Sequence, residues 1–282
     1  ILEDGTNNYL CSICKGANET GICFADVSTG EFHITVVGRE DEQEKIINQL
    51  STYSPKEIIT NSAASGLDLG HSKAAVCALG AVIDYLRETQ KRDDIEAPSE
   101  IEYYDGSDFM ALDVSARRNL ELTRSMMTGD KKHSLLWVID KTKTAPGKRM
   151  LRSWLERPLI NVSKITKRQN AVGELFDSTM LRDEIRGALS GINDMERLMS
   201  RIAYSTANAK ELRSLSATIG ALPVIKNSLS TVSTAMLKSI YENIDLLDDV
   251  KTLIESAIVD EPPFSVREGG LIKSGYNAEI DE

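Results

Sequence analysis

From Asp113 to Ile258 the apolar residues recur at helical spacing, and a chain patterned this way buries them by packing helix on helix. Thr144 opens one helix, with Pro146 in its first turn, where a missing N–H costs nothing. Leu151, Trp154 and Leu155 form its apolar face, and Pro158 ends it. Asn161 opens the next, carrying Val162, Ile165, Val172 and Leu175. Leu181, Ile185 and Leu189 continue until Gly191, then Leu198 and Ile202, then Leu212, Leu215 and Ile219 as far as Pro223. Val250, Leu253, Ile254 and Ile258 make the last stripe before Pro262. Asp113 or Ser115 is suited to cap a helix bearing Leu120, Leu122 and Met126, and Ser134 to cap the short run Leu135–Ile139. No strict heptad and no fixed repeat runs through this region, which excludes a coiled coil and a solenoid.

The first third is patterned differently. Residues 8–15, 21–27 and 30–37 are strand candidates, separated by Gly16, Asn18 and Gly21 and by Ser28, Thr29 and Gly30. A helix with Ile46, Ile47 and Leu50 on one face runs up to Pro55, and residues 57–60 give a short buried-type strand. Residues 61–73 are small, Gly-rich and loop-like. Residues 74–85 spell an Ala- and Leu-rich buried helix, and the polar stretch 87–100 is the expected linker. The fold class predicted is α/β followed by all-α, with a boundary near residue 105.

With 282 residues and 41% hydrophobic content, the chain can bury a sizeable core, and aromatics at 5% suit an aliphatic helical one. No apolar run reaches the roughly 18 residues of a membrane helix, so no membrane partner is expected. The first residue is Ile1 and no charged n-region precedes an apolar stretch; this, with helix-friendly residues at the very end, leads us to expect a piece of a longer chain.

The net charge of −10 conceals a strong asymmetry. Residues 1–105 hold 19 acids and 8 bases, residues 106–168 hold 6 acids and 14 bases, and residues 169–282 hold 18 acids and 11 bases. Such blocks are read first as solvated faces or as domains pairing with one another. Contact of the basic block with DNA phosphate is the competing reading, and the overall acidic field opposes it.

Motifs that carry chemistry are scarce. Gly147-Lys148-Arg149 fails the phosphate-loop pattern at two positions, because Thr142 stands where a Gly is needed and Arg149 where a hydroxyl is needed. His33, His71 and His133 lie in separate segments without ligand spacing. Cys11 and Cys14 form a lone CxxC on a strand, where positions i and i+3 face opposite ways. With Cys23 and Cys77 they are expected to be buried, reduced thiols rather than a metal site or a bridge. Asp26, at the end of a strand, raises one alternative. An RNase H-like metal-dependent nuclease needs such a carboxylate with others nearby, and Asp84 is a candidate second. The competing reading of Asp26 before Ser-Thr-Gly is ordinary turn chemistry. From the residues we assign no catalytic, cofactor-binding or metal-binding side chain.

Several segments nonetheless carry a family resemblance. ALDVSARRNLELT (111–123), SLLWVIDKTKTAPGKRMLRSWLERPL (134–159), the IxxRQNAVGEL pattern (165–175), DMERLMSRIAY (194–204) and EGGLIKSGYNAEIDE (268–282) resemble, in order, the core or lever domain of the MutS mismatch-repair family. ADVSTGEF (25–32) and SPKEII (54–59) resemble segments of that family's connector domain. The resemblance implies an RNase H-like connector without nuclease activity over residues 1–105 and a helical core over 106–282, stopping before the clamp. It departs at Pro146, where the family has Met, and at the short run 61–73, where a connector segment is expected to be missing.

For function, the resemblance implies a middle piece of a mismatch-recognition ATPase. The whole protein would bind mismatched double-stranded DNA, act as a homodimer, and recruit MutL through the connector. ATP or ADP with Mg would sit in an ATPase domain that no segment here resembles, leaving this piece without catalysis of its own. The expected location is cytoplasmic and nucleoid-associated.

Overall fold

A computed structural model describes residues 5–60, 72–91, 101–104 and 108–281, and divides into two compact units. The first comprises Ile1–Lys141 with Lys148–Asn161, the second Thr142–Gly147 with Val162–Glu282. A mixed sheet at the N-terminal side gives way to helices, as the change in residue periodicity requires.

In the first unit, strands β1 (Leu10–Lys15), β2 (Glu19–Asp26) and β3 (Glu31–Gly38) form an antiparallel meander. Strand β4 (Glu57–Thr60) pairs in parallel with β1, and the two-residue β5 (Glu102–Tyr103) pairs in parallel with β3, giving the order β4-β1-β2-β3-β5. Both faces are covered, which explains why β2 is buried at seven of its eight positions rather than alternating. Helix α2 (Lys73–Gln90) lies against one face, where Ser12 Oγ donates to the Ala78 carbonyl. Gly21 is required there: a Cβ would overlap the Ala74 carbonyl. On the other face, Cys11, Ile22, Phe24 and Val37 pack with Tyr53 of α1 (Glu42–Tyr53) and with Tyr104. Helix α2 starts one residue earlier and runs five residues further than its sequence pattern suggested. Ser72 Oγ caps its first turn by accepting from Ala74 and Ala75 N–H groups. Most of the expected loop 61–73, most of the expected linker 87–100, and His71 lie outside the described residues.

The strand geometry separates the two cysteines of the CxxC, as alternation demands, but the expectation of four reduced thiols fails. Cys14 faces α2 and is bonded to Cys77 on that helix, with Cα atoms 6.0 Å apart, while Cys11 and Cys23 are free and buried. Sequence spacing could not reveal the pairing, because it depends on where α2 lands across 63 residues.

The first unit also holds α3 (Val114–Asn119), α4 (Leu135–Ile139) and most of α5 (Ala145–Glu156). Asp113 caps α3 by accepting from the Ala116 N–H. That helix stops at Asn119, short of Leu120, Leu122 and Met126, and Glu121 lies beyond it at positive φ. Ser134 caps α4 by accepting from the Trp137 N–H at 3.2 Å, as expected.

Among the described residues, the second unit is built from α6 (Val162–Asp177), α7 (Thr179–Leu189), α8 (Met195–Ala203), α9 (Ala209–Ser228), α10 (Ala235–Asn243), α11 (Asp248–Ala257) and the short α12 (Ala278–Asp281). Helix α9 serves two cores. Leu215 and Ile219 pack with Leu198, Ile254 and Ile258, whereas Ile225 packs with Ala171, Leu229, Val232 and Leu237. It therefore does not end at Pro223, the expected stop, but continues to Ser228. A helix-interior proline costs about 3 kcal/mol. Burying Ile225 and Leu229 nearly completely, at about 1.5–3 kcal/mol for each such side chain, offsets that. Asn208 and Glu211 close a reciprocal capping box at its start. Helix α10, which no stripe announced, is capped from α6: Glu174 accepts from the backbone N–H and hydroxyl of both Ser233 and Thr234. Those bonds, the Thr234 hydroxyl first, outweigh desolvation and pull its pKa down to about 2.

Candidate functional site

The polar groups of the first unit converge on Arg157, just after α5. Pro158 stops the helix, and a short antiparallel bridge, Phe109 to Leu159, holds the chain in place. The Met110 N–H donates to the Pro158 carbonyl at 2.8 Å, and the Ile160 N–H to the Asp108 carbonyl at 3.3 Å. The Arg157 guanidinium then lies over three rings, 5.1 Å from Tyr53, 5.4 Å from Tyr104 and 5.2 Å from Phe109. One Nη donates to the Tyr53 hydroxyl at 2.6 Å and the other to Ser153 Oγ at 3.0 Å. Burial acts against its charge, but the facing phenols and Glu102 outweigh burial and raise its pKa.

Beside this cage runs a second chain of partners. His33, on β3, sits between Glu102 and Glu31, with Nδ1 2.5 Å from the Glu102 carboxylate. The Tyr9 hydroxyl donates to Glu31 at 3.1 Å. Burial disfavours the charged imidazole, yet bonds to the two carboxylates prevail and its pKa is raised. Both carboxylates are correspondingly lowered; for Glu31 burial opposes the shift and the His33 bond overcomes it, and for Glu102 the His33 bond is the main cause. Burial pushes the Tyr9 and Tyr53 phenols up and keeps the Cys11 thiol up at about 12. Every titratable group here is held in the protonation state that favours fixed contacts. The arrangement fastens the start of the helical segment to the sheet; it presents no activated nucleophile.

The remaining sequence candidates fall elsewhere. Asp26 is fully buried, with Oδ1 accepting from the Ser28 N–H at 2.9 Å and its hydroxyl at 2.7 Å, and Oδ2 accepting from the Asn8 N–H at 2.9 Å. It acts as a turn brace. Asp84 is exposed on α2 and lies 3.6 Å from Arg87. Among the described residues, no group of three or more His, Cys, Asp or Glu is arranged to hold a metal ion. Gly147-Lys148-Arg149 lies within α5, where the Gly147 N–H donates to Thr144 Oγ1 at 3.1 Å, so these residues do not fit a nucleotide's phosphates. His133 is exposed, at positive φ, with its ring 5.4 Å from that of Trp137. No helix among the described residues is long and apolar enough to cross a membrane. Sequence reasoning missed Arg157, Tyr53, Tyr104 and Glu102 because they are scattered through the sequence and share no spacing.

Comparison with known proteins places this geometry in context. A family model described as MutS domain II matches residues 8–68, and one described as MutS domain III matches residues 115–282. Proteins named DNA mismatch repair protein MutS align along nearly the whole chain. The one from Lachnoclostridium phytofermentans is 37% identical over 99% of this chain, and that from Clostridium novyi is 36% identical over all of it. That from Desulforamulus reducens is likewise 36% identical over 100% of the chain. The chain spans 34%, 35% and 37% of these relatives, about a third of their length. The first alignment runs over 324 positions against 282 residues here, so at least 42 positions (324 − 282) have no counterpart in this chain. With domain II matched at its start and domain III through the remainder, the chain belongs to the MutS family of DNA mismatch repair proteins.

Proposed function

We propose that this chain works in DNA mismatch repair as the middle portion of a MutS protein, and that its part is mechanical rather than chemical. The observation that carries the proposal is coverage: relatives named for mismatch repair align from one end of the chain to the other, through two consecutive domain types. On this reading the whole protein binds mismatched double-stranded DNA as a homodimer. It holds ATP or ADP with Mg in a portion outside these residues and recruits MutL through the connector. This chain would then neither bind nucleotide nor catalyse a reaction. Its location would be cytoplasmic, at the nucleoid.

We further assign residues 1–105 to the connector and 106–282 to the core or lever. The antiparallel β1–β2–β3 meander with β4 parallel to β1 is compatible with an RNase H-like connector fold. The mechanical role is supported by the Arg157 cage, which locks the first helices after the connector onto the sheet. Close-packed, hydrogen-bonded elements move as rigid bodies between discrete arrangements, and this suits them to carry motion between distant sites.

The test is a bacterial strain lacking mismatch repair, given a full-length gene that contains this segment. The gene should lower the spontaneous mutation frequency towards that of a repair-proficient strain. An in-frame deletion of the segment should leave the frequency high. If the full-length gene left the frequency unchanged although the protein accumulated, the proposal would be wrong.

A further inference from the structure

Helix α2 packs on the sheet closely enough to stay there without a covalent tie. Ala75, Ala78, Leu79 and Val82 on the helix are all buried. Ser12 Oγ donates to the Ala78 carbonyl, and Gly21 admits the Ala74 backbone against β2. Cys14 of β1 is nonetheless bonded to Cys77 of α2, 63 residues away in sequence. Their Cα atoms lie 6.0 Å apart, inside the span of roughly 4.4–6.8 Å that a disulfide needs. The packing itself therefore brings the two sulfurs within bonding reach, and the bond can open or close without moving the backbone. Cys77 is partly exposed whereas Cys14 is buried, so a small reagent in solution meets Cys77 first. A third thiol lies on the same face: Cys23 of β2 opposes Ser12, and strand alternation puts Ser12, Cys14 and Cys23 on the side that α2 covers. Cys23 and Cys11 are free and buried. A chain of 282 residues with its own apolar cores does not depend on disulfide staples as small secreted domains do.

We propose that Cys14 and Cys77 form a thiol-oxidation site, closed by a low-molecular-weight disulfide and reopened by the corresponding thiol. The expectation of traffic in both directions rests on the mismatch-repair reading: a protein acting on DNA inside a cell works where thiols are held reduced, and disulfides found there are usually transient and redox-sensing. In the closing direction the Cys77 thiolate attacks one sulfur of the reagent RS–SR, forming a mixed disulfide and releasing one RS⁻. The Cys14 thiolate then attacks Cys77 Sγ, which makes the Cys14–Cys77 bond and releases the second RS⁻. The two cysteine protons end on the released thiolates as two RSH; the cysteines lose two electrons and the reagent gains them. Cys11 cannot compete for Cys77, because it points to the opposite face of β1 and packs with Ile22 and Phe24. Closure ties the first strand of the meander to the helix that covers it, and it removes the freedom of a long loop from the unfolded chain. The first unit is thus more firmly fastened when the thiol pool is oxidised.

The experiment equilibrates the 282-residue chain in buffers of reduced and oxidised glutathione at varied ratio, quenches it in acid, alkylates it under denaturing conditions and weighs it by mass spectrometry. Of the four cysteines, two should be alkylated at the oxidising end and all four at the reducing end, with the bond mapping to Cys14 and Cys77. The urea midpoint of the oxidised chain, read from Trp137 and Trp154, should exceed that of the reduced chain by about 1–2 M. Cys77→Ser should abolish that difference and leave the midpoint within about 0.3 M of the reduced parent. The comparison of the two redox forms of the unaltered chain decides the matter even if the variant folds poorly. A bond that survives the most reducing buffer would make the pair a permanent staple and overturn the proposal. So would four alkylated cysteines in every buffer, a bond mapping to Cys14 and Cys23, glutathione remaining on Cys77 as the final product, or equal midpoints for the two forms. The titration is read on the chain itself, so it can fail while the mutation-frequency test succeeds, and the reverse.

Discussion

Replacing Arg157 by Ala removes one guanidinium that touches three rings and two hydroxyls at once. A charge-assisted hydrogen bond to the part-buried Tyr53 hydroxyl is worth about 1.5–3 kcal/mol. The cation–π contact adds about 1–2 kcal/mol, counted once because a single cation serves all three rings. Allowing for non-additivity, the expected loss is about 3 kcal/mol, confined to the first unit. Both tryptophans of the chain, Trp137 and Trp154, lie in that unit, so urea unfolding followed by their fluorescence reads it selectively. With a slope of about 2 kcal/mol per molar urea, the midpoint should fall by about 1.5 M. Arg157→Lys keeps the charge without the planar fork and should lose about half as much. In a double-mutant cycle with Tyr53→Phe, the coupling should be about 1 kcal/mol or more. A midpoint that moves by less than about 0.3 M for Arg157→Ala, or two losses that simply add, would refute the reasoning.

Three further outcomes follow from the same structure. The raised pKa of His33 means that its ion pairs stabilise fully below the ordinary histidine value of about 6.5 and are lost as pH rises through the folded value. The tryptophan-detected stability should therefore fall as pH rises above about 6.5, and His33→Gln should flatten that slope; parallel slopes would contradict the pairing. Glu174 shows the opposite sign: its contribution is present above its unfolded pKa of about 4.3 and disappears as pH drops towards 2, so Glu174→Gln should remove part of the acid-induced loss of helical circular dichroism. Gly21→Ala pushes a methyl into the Ala74 carbonyl and should destabilise the first unit by about 3 kcal/mol; a neutral result would mean that α2 does not lie where the structure puts it.

Local signals were legible wherever one short stretch contained both the group and its partner. Asp113, Ser134 and Thr144 each accept from an N–H three residues on. The strand run was readable from turn residues, although α2 covering one face hid the usual alternation. Reasoning failed where tertiary packing overrode a local rule. Pro223 should end a helix, but the two cores gripping α9 carry it onward. Helix α10 has no obvious start because its cap is borrowed from Glu174, about sixty residues earlier. The same holds for the Cys14–Cys77 bond and the Arg157 cage, whose members meet only after the chain has folded. Turn chemistry was the local reading of Asp26, and its three side-chain hydrogen bonds give that role a physical form.

The central claim is that the sheet and the first helices form one rigid body that transmits motion in a mismatch-repair protein. It is tested most directly by introducing Arg157→Ala into the full-length protein and timing its ATP-triggered release from mismatched DNA by stopped-flow fluorescence. Affinity for the mismatch should stay within about twofold, while release slows by about tenfold, roughly 1.4 kcal/mol on its activation barrier. Release at the unaltered rate, from a variant whose first unit is measurably destabilised, would contradict it.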